Sequence, residues 1–388
     1  MNKAVPIYAR KGGSESFYVP RFEVFIDDTE IPGDILYDVV SVSYKDKVDD
    51  IDGFDITINN FDAATGGFKY VGTPDGSKGR WFDPGRKIEL RMGYGTTLRL
   101  MLRGQITSMT PNFPQSGAPS VKVSGLNELH ELRKGQHTHA WFDEFDTDIA
   151  KAIGAAQPSK NRPGLGFPVR GSDGYQTREE REPYVFMHNV PDIVFLLQRA
   201  RRWGYTLSIE TDVDSGERYL RFGPSESRTK VTYALEYGST LNSFQPTLST
   251  VNQLEEVTVR SWDRKRAKPI EGKAVRSKLK KAPNHDFPEV AAAVKGRREV
   301  IHRPMRSKQE AKKLAESILR DTMRDLITGS GSTVGLPDLR AGSNIEIKGL
   351  GPRFSGLYFV TETTHTIDDS GYSTRFSARR EEALKEAS

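Results

Sequence analysis

The sequence contains no cysteine among its 388 residues. Disulfide bonds and thiolate-ligated metal sites are therefore excluded. No apolar run approaches the roughly 20 residues that a membrane-spanning helix needs. The residues up to Phe17 are too polar for a secretory signal peptide. We therefore expect the protein to be made and folded in a cytoplasm, without inserting into a membrane.

An excess of charge of one sign is also lacking. The 57 Lys and Arg residues against 52 Asp and Glu residues give a formal net charge of +5. This charge permits contact with nucleic acid but does not argue for it. The basic stretch 264–281 has no periodicity, and we expect a mobile, solvated loop rather than a nucleic-acid-binding arm. Specific nucleic-acid binding is therefore not expected.

What the sequence does contain is a series of short alternating segments, at residues 22–28, 54–60, 87–94 and 121–125. Alternation of apolar and polar residues is typical of half-buried strands. The 35 glycines and 21 prolines supply the turns between them. The regular spacing predicts a β-barrel or sandwich over about residues 20–130.

The middle of the chain has a different pattern. A short helix is predicted after Thr147 and Asp148, which can cap it, and a long polar loop over residues 157–183. A second helix over residues 189–204 begins with Asn189 as its cap and ends at Gly204. The hairpin that follows completes a small α+β module.

Two segments recur along the chain. Residues 84–95 (PGRKIELRMGYG) match residues 341–351 (AGSNIEIKGLG), and residues 55–62 match residues 256–263. The aligned residues are Gly85 with Gly342, Ile88 with Ile345, and Phe61 with Trp262. We therefore predict two related β-barrels in one chain. The alternative is chance similarity between amphipathic strands.

The predicted fold is mainly β, of the α+β type. A helix is indicated at residues 307–327, where Ser307 and Glu310 form a capping box. The predicted domains are a first β-barrel over residues 1–131, a small α+β domain over 132–236, a second β-barrel formed by 237–263 and 330–388, and a basic loop and helix, 264–329, inserted in the second barrel.

A histidine, two aspartates and a serine lie within six positions, from His365 to Ser370. A catalytic triad needs a base that is hydrogen-bonded to both partners. In an extended strand, His365 and Asp368 point to opposite faces, about 10 Å apart along the strand, while Asp369 and Ser370 fall in a turn. We therefore predict a hairpin tip with a structural histidine and no catalytic residues.

Metal-capable side chains also occur at His137, His139, Asp143, Glu144 and Asp146. The H-x-H pair has no standard spacing to a third ligand, so we predict a solvated linker and no metal site. Glycines 349, 351 and 356 have the look of a phosphate loop, but no helix is predicted behind them. No cofactor is expected. Among the acidic residues, no local pattern selects a carboxylate pair for glycoside hydrolysis.

Taken in order, several segments resemble the phage late control gene D family, the baseplate hub proteins of contractile tails. That family is related to the N-terminal hub part of type VI secretion VgrG spike proteins. The segments are FDITINNFD, WFDPGRKIELRMGYG, VKVSGLNELHELRKG, DTDIAKAIGA, NVPDIVFLLQRARRWGY, LNSFQPTLSTVNQLEEVTVRSWDRKRAKPIEGKA and GLPDLRAGSNIEIKGLGPRFSGLYFVTETTHTIDDSGYSTRF. Their order and spacing carry the resemblance, because no single motif is decisive.

The resemblance implies a structural, non-enzymatic baseplate hub of a contractile phage tail or phage-like injection system. Hubs of this family are homotrimers with two barrels per chain. Such a symmetry adaptor has pseudo-sixfold symmetry and joins the hexameric tail tube, through the first barrel domain, to the trimeric central spike. The implied partners are the chain itself, the spike, the tube or tube-initiator protein, baseplate wedge proteins and the tape measure protein.

The implied location is the virion tail baseplate or an injection particle, assembled in the host cytoplasm. Because the chain ends at Ser388, we expect the spike to be a separate polypeptide. The basic run 264–281 is expected away from the axial channel, where it would trap DNA. Two alternative functions are a particle-borne peptidoglycan hydrolase and a basic nucleic-acid binder.

Overall fold

The computed structural model describes residues 19–71, 80–157, 164–171, 179, 181–211, 217–224, 231–264, 266–279 and 288–381. The strands are β1 (Pro20–Ile26), β2 (Thr29–Glu30), β3 (Val39–Lys47), β4 (Gly53–Asn59), β5 (Phe61–Asp62), β6 (Gly67–Phe68), β7 (Lys87–Tyr94), β8 (Thr97–Asn112), β9 (Ser120–Asn127), β10 (His137–Trp141), β11 (Val169–Arg170), β12 (Val185–Val190), β13 (Tyr205–Thr211), β14 (Arg218–Pro224), β15 (Val231–Glu236), β16 (Leu241–Leu248), β17 (Glu256–Asp263), β18 (Lys268–Val275), β19 (Arg298–His302), β20 (Ile327–Val334), β21 (Asn344–Lys348), β22 (Gly356–Asp368) and β23 (Gly371–Arg380). The helices are α1 (Gly33–Leu36), α2 (Asp146–Gly154), α3 (Asp192–Trp203), α4 (Pro288–Ala293), α5 (Lys308–Arg324) and α6 (Gly351–Phe354), with 3₁₀ turns at Glu128–Arg133 and Arg276–Lys278.

The first barrel is formed by six strands in the order β3-β4-β9-β8-β7-β1. Alternation along each strand places one set of side chains in its core. In β4, Phe54, Ile56 and Ile58 are buried while the residues between them are half-buried. Ile56 pairs with Val123 of β9, so inward residues of adjacent strands form one continuous core. The mainly β fold is confirmed.

The second barrel is formed by six strands in the order β16-β20-β23-β22-β21-β15. Its core gathers large apolar side chains such as Leu235, Ile347 and Tyr358. The two barrels belong to one 13-stranded sheet, because β22 pairs antiparallel with β3, placing His365 opposite Tyr44. The barrels are therefore joined by backbone hydrogen bonds as well as by side chains.

The two barrels have the same strand order. In chain order, β1, β3, β4, β7, β8 and β9 of the first correspond to β15, β16, β20, β21, β22 and β23 of the second. They differ in the direction of their first strand: β1 is antiparallel to β7, whereas β15 is parallel to β21. Ile88 and Ile345, aligned by sequence, lie in the corresponding strands β7 and β21. The strand orders agree with the predicted duplication.

The turns that precede β7 and β21 are also the same. Gly85 and Gly342 have φ angles of 98° and 84°, a region that favours glycine. Gly85 N donates to Ile106 O over 2.8 Å, and Gly342 N donates to Val360 O over 2.7 Å. Both glycines therefore hold the start of their strand against the equivalent position of β8 or β22.

The residue after each of those acceptors is a bulged threonine. Thr107 and Thr361 each lie at a register shift, in the pairing of β8 with β9 and of β22 with β23. Thr107 Oγ1 donates to Ser124 O at 3.3 Å, and Thr361 Oγ1 donates to Ser377 O at 3.2 Å. Bulges are specific structural features, so this repetition supports duplication more strongly than strand order alone.

One part of the predicted repeat is wrong. Strand β17, which the sequence aligned with residues 55–62, lies in a separate three-stranded sheet between β18 and β19. The counterpart of β4 is β20, which lies between β16 and β23 as β4 lies between β3 and β9. Trp262 is therefore not the counterpart of Phe61. Amphipathic strands share the same alternation whatever sheet they join, and that likeness was misleading.

The insert is consequently larger than predicted. Ser249 N donates to Leu326 O at 2.9 Å, so the insert leaves and re-enters the second barrel at adjacent residues. Residues 268–275, expected in a mobile loop, form β18, which pairs with β17 along its length. Of the remaining basic stretch, residues 265, 280 and 281 lie outside the described residues.

Helix α5 covers one face of the insert's sheet and confirms the helix predicted there. Ser307 Oγ accepts from Glu310 N at 3.0 Å, as the capping box requires. The insert contacts the α+β domain through Glu182, whose carboxylate accepts from Arg202 (2.6 Å) and Arg306 (2.9 Å). Ion pairs therefore connect it to a domain distant in sequence.

The α+β domain packs α2 and α3 with β10–β14 around its own core. The β13–β14 hairpin and the stop at Gly204, with φ 67°, are as predicted. The predicted caps are wrong: Pro191 precedes α3 and Phe145 precedes α2, whereas Asn189 lies within β12. Residues 158–163, 172–178 and 180 of the predicted long loop lie outside the described residues. Strand β15, assigned to this domain from sequence, belongs to the second barrel.

Candidate functional site at the junction of the barrels

His365 lies inside the junction of the two barrels and is fully buried. Its Nε2 donates to Leu339 O at 2.9 Å, which leaves Nδ1 to accept from Tyr372 Oη at 3.0 Å or Thr374 Oγ1 at 3.1 Å. Burial lowers the pKa of His365 to about 4, because an imidazolium loses its hydration there. The imidazole ring of His365 is therefore neutral and has a structural role.

Asp368 and Ser370 lie away from that ring, at the exposed tip of the β22–β23 hairpin. Asp368 Oδ1 accepts from Ser370 N at 2.8 Å and from Ser370 Oγ at 2.5 Å. These two bonds lower the pKa of Asp368. The structure therefore does not bring the histidine, aspartate and serine together, in agreement with the predicted hairpin tip.

The bulge at Thr361 decides which residues of β22 face which barrel. Before it, Tyr358 and Val360 point into the core of the second barrel. After it, Thr363 and His365 are buried at the junction and Ile367 packs in the core of the first barrel. A bulge adds one residue to a strand and so reverses the faces of those that follow.

Arg340 forms the ionic contact between the two barrels. Its Nε donates to Asp46 Oδ2 at 2.9 Å, its Nη2 donates to Met101 O at 2.9 Å and to the Tyr44 hydroxyl, and its guanidinium lies 4.6 Å from the Tyr44 ring centroid. Thr363 donates to the other oxygen of Asp46. Asp46, Tyr44 and Met101 belong to the first barrel, so one arginine of the second barrel binds three of its residues.

A second carboxylate lies beside this pair. Asp52 Oδ2 accepts from Asn127 Nδ2 at 2.7 Å, and Asp52 Oδ1 accepts from Lys47 N at 3.2 Å. Burial, followed by the charge of Asp46, raises the pKa of Asp52 to about 7, because both disfavour a second buried negative charge. The junction therefore holds two buried acids and one arginine.

The histidines and acids between residues 137 and 146 do not form a solvated linker, which corrects the prediction. His137 and His139 lie on β10, which pairs with β12. His137 Nδ1 is 3.0 Å from Asp192 Oδ1. The buried carboxylate of Asp146 accepts from Arg199 and, at 2.5 Å, from Trp203 Nε1. Tertiary packing has made these residues part of the α+β domain.

The remaining two members of that group are exposed or at a domain edge. Asp143 has a φ of 55° and accepts from Arg181, and Glu144 forms a backbone bridge with Glu182. Within the described residues, no three His, Asp or Glu side chains meet closely enough to hold a metal ion. Glycines 349, 351 and 356 all have positive φ, and a four-residue helix, α6, follows Leu350 where none was expected.

The geometry of the junction supports a structural role: its hydrogen bonds and ion pairs can hold the two barrels in a fixed orientation. Sequence patterns identified His365 but missed Asp46, Asp52 and Arg340, which lie far apart in the chain. The one available signal was the acidic residue Asp46 on the inward face of β3, beside the buried Val42 and Tyr44. None of the helices in the described residues is long and apolar enough to cross a membrane.

A sequence model of the Alg8 N-terminal domain family matches residues 17–369. The chain belongs to this family. The match is therefore not to the late control gene D family, which its segments resemble. A comparison of this chain with curated proteins found no significant match.

Solved structures establish the fold independently. The 43 kDa tail protein of prophage MuSo2 from Shewanella oneidensis has a TM-score of 0.66 at 13% identity, over 93% of this chain and 98% of its own. A tail protein from Neisseria meningitidis has a TM-score of 0.66 at 12% identity, over 94% and 97%. A type VI secretion component of Escherichia coli has a TM-score of 0.55 at 12% identity, over 92% of this chain and 76% of its own. The chain has a phage tail-protein fold.

Proposed function

We propose that this protein is the structural baseplate hub of a contractile phage tail or phage-like injection particle, in the manner of the late control gene D proteins. The observation that carries the proposal is the duplicated barrel, with the same strand order and the same bulged threonine bonded to a serine carbonyl in both copies. The phage tail-protein fold supports it.

A duplicated barrel suits a symmetry adaptor. Three chains with two similar barrels each supply six similar units around one axis, while the chains themselves retain threefold symmetry. Such a homotrimer presents a pseudo-sixfold ring to a hexameric tail tube and a threefold base to a trimeric central spike. The shared sheet between β22 and β3 would fix the angle between the two barrels of each chain.

The proposed partners follow from that position. They are the central spike, the tail tube or its initiator, the baseplate wedge proteins and the tape measure protein. The chain itself would neither insert into a membrane nor bind a specific nucleic-acid sequence. Assembly in the host cytoplasm and incorporation into the tail baseplate or injection particle complete the proposal.

We further propose that the role is not enzymatic. The support is local: His365 has all its hydrogen bonds satisfied inside the junction, and Asp368 and Ser370 bond to each other. A fully bonded, buried histidine cannot reach a substrate. Incubation with peptidoglycan tests this: release of fragments that stops on substitution of a carboxylate would establish the hydrolase instead.

Mass measurement of the purified hub–spike complex tests the trimer. We expect three copies of this 43.5 kDa chain, or about 130 kDa of hub protein per particle. Assembly can depend on the spike, so the complex rather than the isolated chain is the sample to measure. Six copies, or two, would overturn the proposed symmetry.

A further inference from the structure

The junction inside one chain indicates how two chains would meet. In that junction, residues 362–367 of β22, beyond the end of its pairing with β21, lie against β3. The duplication gives both partners a counterpart. The counterpart of residues 362–367 is the segment 108–113 at the end of β8, and the counterpart of β3 is β16.

Neither counterpart has a second neighbour in the described part of the chain. Strand β7 covers β8 only as far as Gln105, so residues 108–112 pair with β9 alone, and Phe113 follows the last paired residue. Strand β16 pairs along its length with β20, and the bridge from Leu241 to Tyr237 lies before residues 244–249. Each chain therefore has one junction made internally and the two halves of an equivalent junction left open, at opposite ends of the duplicated unit.

The internal register can be transferred to these open edges. Bulges in β3 and in β16 fall at the same place, because Val39 and Leu241 both precede a register shift. The internal pairs Thr363–Asp46 and Ile367–Val42 then correspond to Met109–Leu248 and Phe113–Phe244. This register follows from the duplicated bulges alone, without reference to side-chain chemistry.

The side chains fit that register. One face of the transferred pairing is apolar throughout: Met109, Pro111 and Phe113 against Leu248, Pro246 and Phe244. The other face is polar throughout: Ser108, Thr110 and Asn112 against Ser249, Thr247 and Gln245. A shift by one residue would set the two apolar rows on opposite faces of the sheet. In the internal junction, β22 has the same division, into a buried and a half-buried face.

The apolar row is partly open to solvent in the single chain. Phe113 is 55% exposed, and its ring meets that of Phe68, itself 47% exposed, edge to face at 5.1 Å between ring centroids. Met109, Phe244 and Leu248 are half-buried against the two barrel cores. A strand laid along this row would continue both cores, as β22 and β3 continue them inside the chain.

Each of the two open edges has a proline, Pro111 in β8 and Pro246 in β16, and the transferred register places them opposite each other. Val48 N donates to Thr361 O at 3.1 Å, so alternate residues of β3, including Tyr44, direct their N–H groups at β22. The counterpart of Tyr44 is Pro246, and the counterpart of its partner His365 is Pro111. An edge proline discourages pairing with unrelated strands. With the two prolines facing each other, that pair forms no backbone hydrogen bond and its rings hold the strands apart locally, so the pairs Met109–Leu248 and Phe113–Phe244 on either side carry the contact.

We infer that residues 108–113 of one chain lie antiparallel to β16 of the next chain, with Met109 opposite Leu248 and Phe113 opposite Phe244. The inference rests on the proposed trimer and identifies the surface that closes it. Three such contacts, alternating with three internal β22–β3 junctions, make one continuous sheet around six barrels. The partner is a second copy of this chain.

Cysteine pairs test the register directly, since the chain has no cysteine of its own. Thr110→Cys with Thr247→Cys corresponds to a pair without backbone hydrogen bonds, whose Cα atoms lie about 4.5 Å apart. We expect oxidation of the hub–spike complex to link chains into dimers and closed trimers on a denaturing gel. Thr110→Cys with Gln245→Cys, two residues out of register, should link at least tenfold less.

The internal junction supplies the positive control. Lys45→Cys with Thr364→Cys occupies the corresponding pair and should form a disulfide within one chain. If that link forms in a complex of three chains but Thr110→Cys and Thr247→Cys stay unlinked, the inference is wrong and the proposed hub remains. A hub–spike complex with another number of chains would instead overturn the proposed function and, with it, this inference.

Charge placed on the two faces gives a second measurement. Phe113→Asp puts a carboxylate in the apolar row, and Asn112→Asp puts the same group on the polar face one residue away. Both positions are exposed in the single chain, so folding should be retained. We expect the first variant to lose at least nine-tenths of its trimer and the second to keep it. Equal assembly of both would overturn the inference.

Discussion

Arg340 is the cationic residue through which the second barrel binds the buried Asp46 carboxylate of the first. Replacing it in Arg340→Met leaves Asp46, whose side chain is 6% exposed, with a buried negative charge that still accepts hydrogen bonds from Thr363 and Ala341 N but has lost its cationic partner. We expect the free energy of unfolding to fall by about 3–5 kcal/mol. Urea denaturation followed by circular dichroism measures the change.

The matched control is Arg99, which also bridges the barrels but at the surface. Its Nε lies 3.1 Å from Asp338, with 46% of its side chain exposed. Because solvent screens this pair, Arg99→Met should cost less than about 1 kcal/mol. Equal losses in the two variants would show that Asp46 is better solvated than its burial indicates.

The two buried titrating groups at the junction should give opposite pH dependences. The pKa of Asp52 is raised to about 7, so its contribution to stability is present at low pH and is lost as the pH rises towards 7. The pKa of His365 is lowered to about 4, so its contribution is present above about pH 6.5 and is lost as the pH falls towards 4. Between pH 4 and 6.5 the two slopes largely cancel.

Asp52→Asn should therefore expose the histidine's slope. We expect the free energy of unfolding of this variant to rise by about 3 kcal/mol between pH 4 and 6.5, whereas the parent protein changes much less. His365→Gln should show the reverse, with stability falling from pH 4 to 7. Urea midpoints at four pH values measure both. Parallel curves for the parent and both variants would contradict the assignment.

The turn before β7 shows how one residue type determines the start of a strand. Gly85 has a φ of 98°, and a Cβ added there would meet no atom within 4 Å. Gly85→Ala therefore tests conformation alone and should cost about 1–2 kcal/mol. Gly33, at the start of α1, has equally open space without a positive φ, so Gly33→Ala should be neutral. Thermal denaturation compares the two, and a neutral Gly85→Ala would contradict the turn.

The insert can be removed from the whole molecule if the duplication is the true architecture. Replacing residues 250–325 by Asn-Gly joins Ser249 to Leu326, whose backbones already bond at 2.9 Å, through a two-residue hairpin turn. We expect both barrels to fold, because β16 and β20 then form a hairpin as β3 and β4 do. The α+β domain should lose stability, since Glu182 would lose Arg306.

The intrachain disulfide between Lys45→Cys and Thr364→Cys reports on this shortened chain. Its formation, with a strand-rich circular dichroism spectrum, would show that the barrels and their junction persist without the insert. Aggregation or failure to form the disulfide would show that the insert supplies part of the barrels' structure. Peptide mapping after oxidation distinguishes the two results.

The sequence by itself determined the elements with strong local signals. Alternation predicted β4 and β7, a capping box predicted the start of α5, and the αL glycine predicted the end of α3. The recurrence of residues 84–95 at 341–351 also aligned β7 with β21. These features depend on contacts within a few residues of the chain, so a local pattern is sufficient to specify them.

Only the tertiary structure decided which strands are partners and which charges meet. Strand β17 has the alternation of a barrel strand but pairs with β18 and β19. Asp46 and Arg340 are nearly 300 positions apart, and no local spacing relates them. Alternation specifies that a strand has a buried face, but the identity of what covers that face depends on long-range packing, which the order of residues along a strand does not encode.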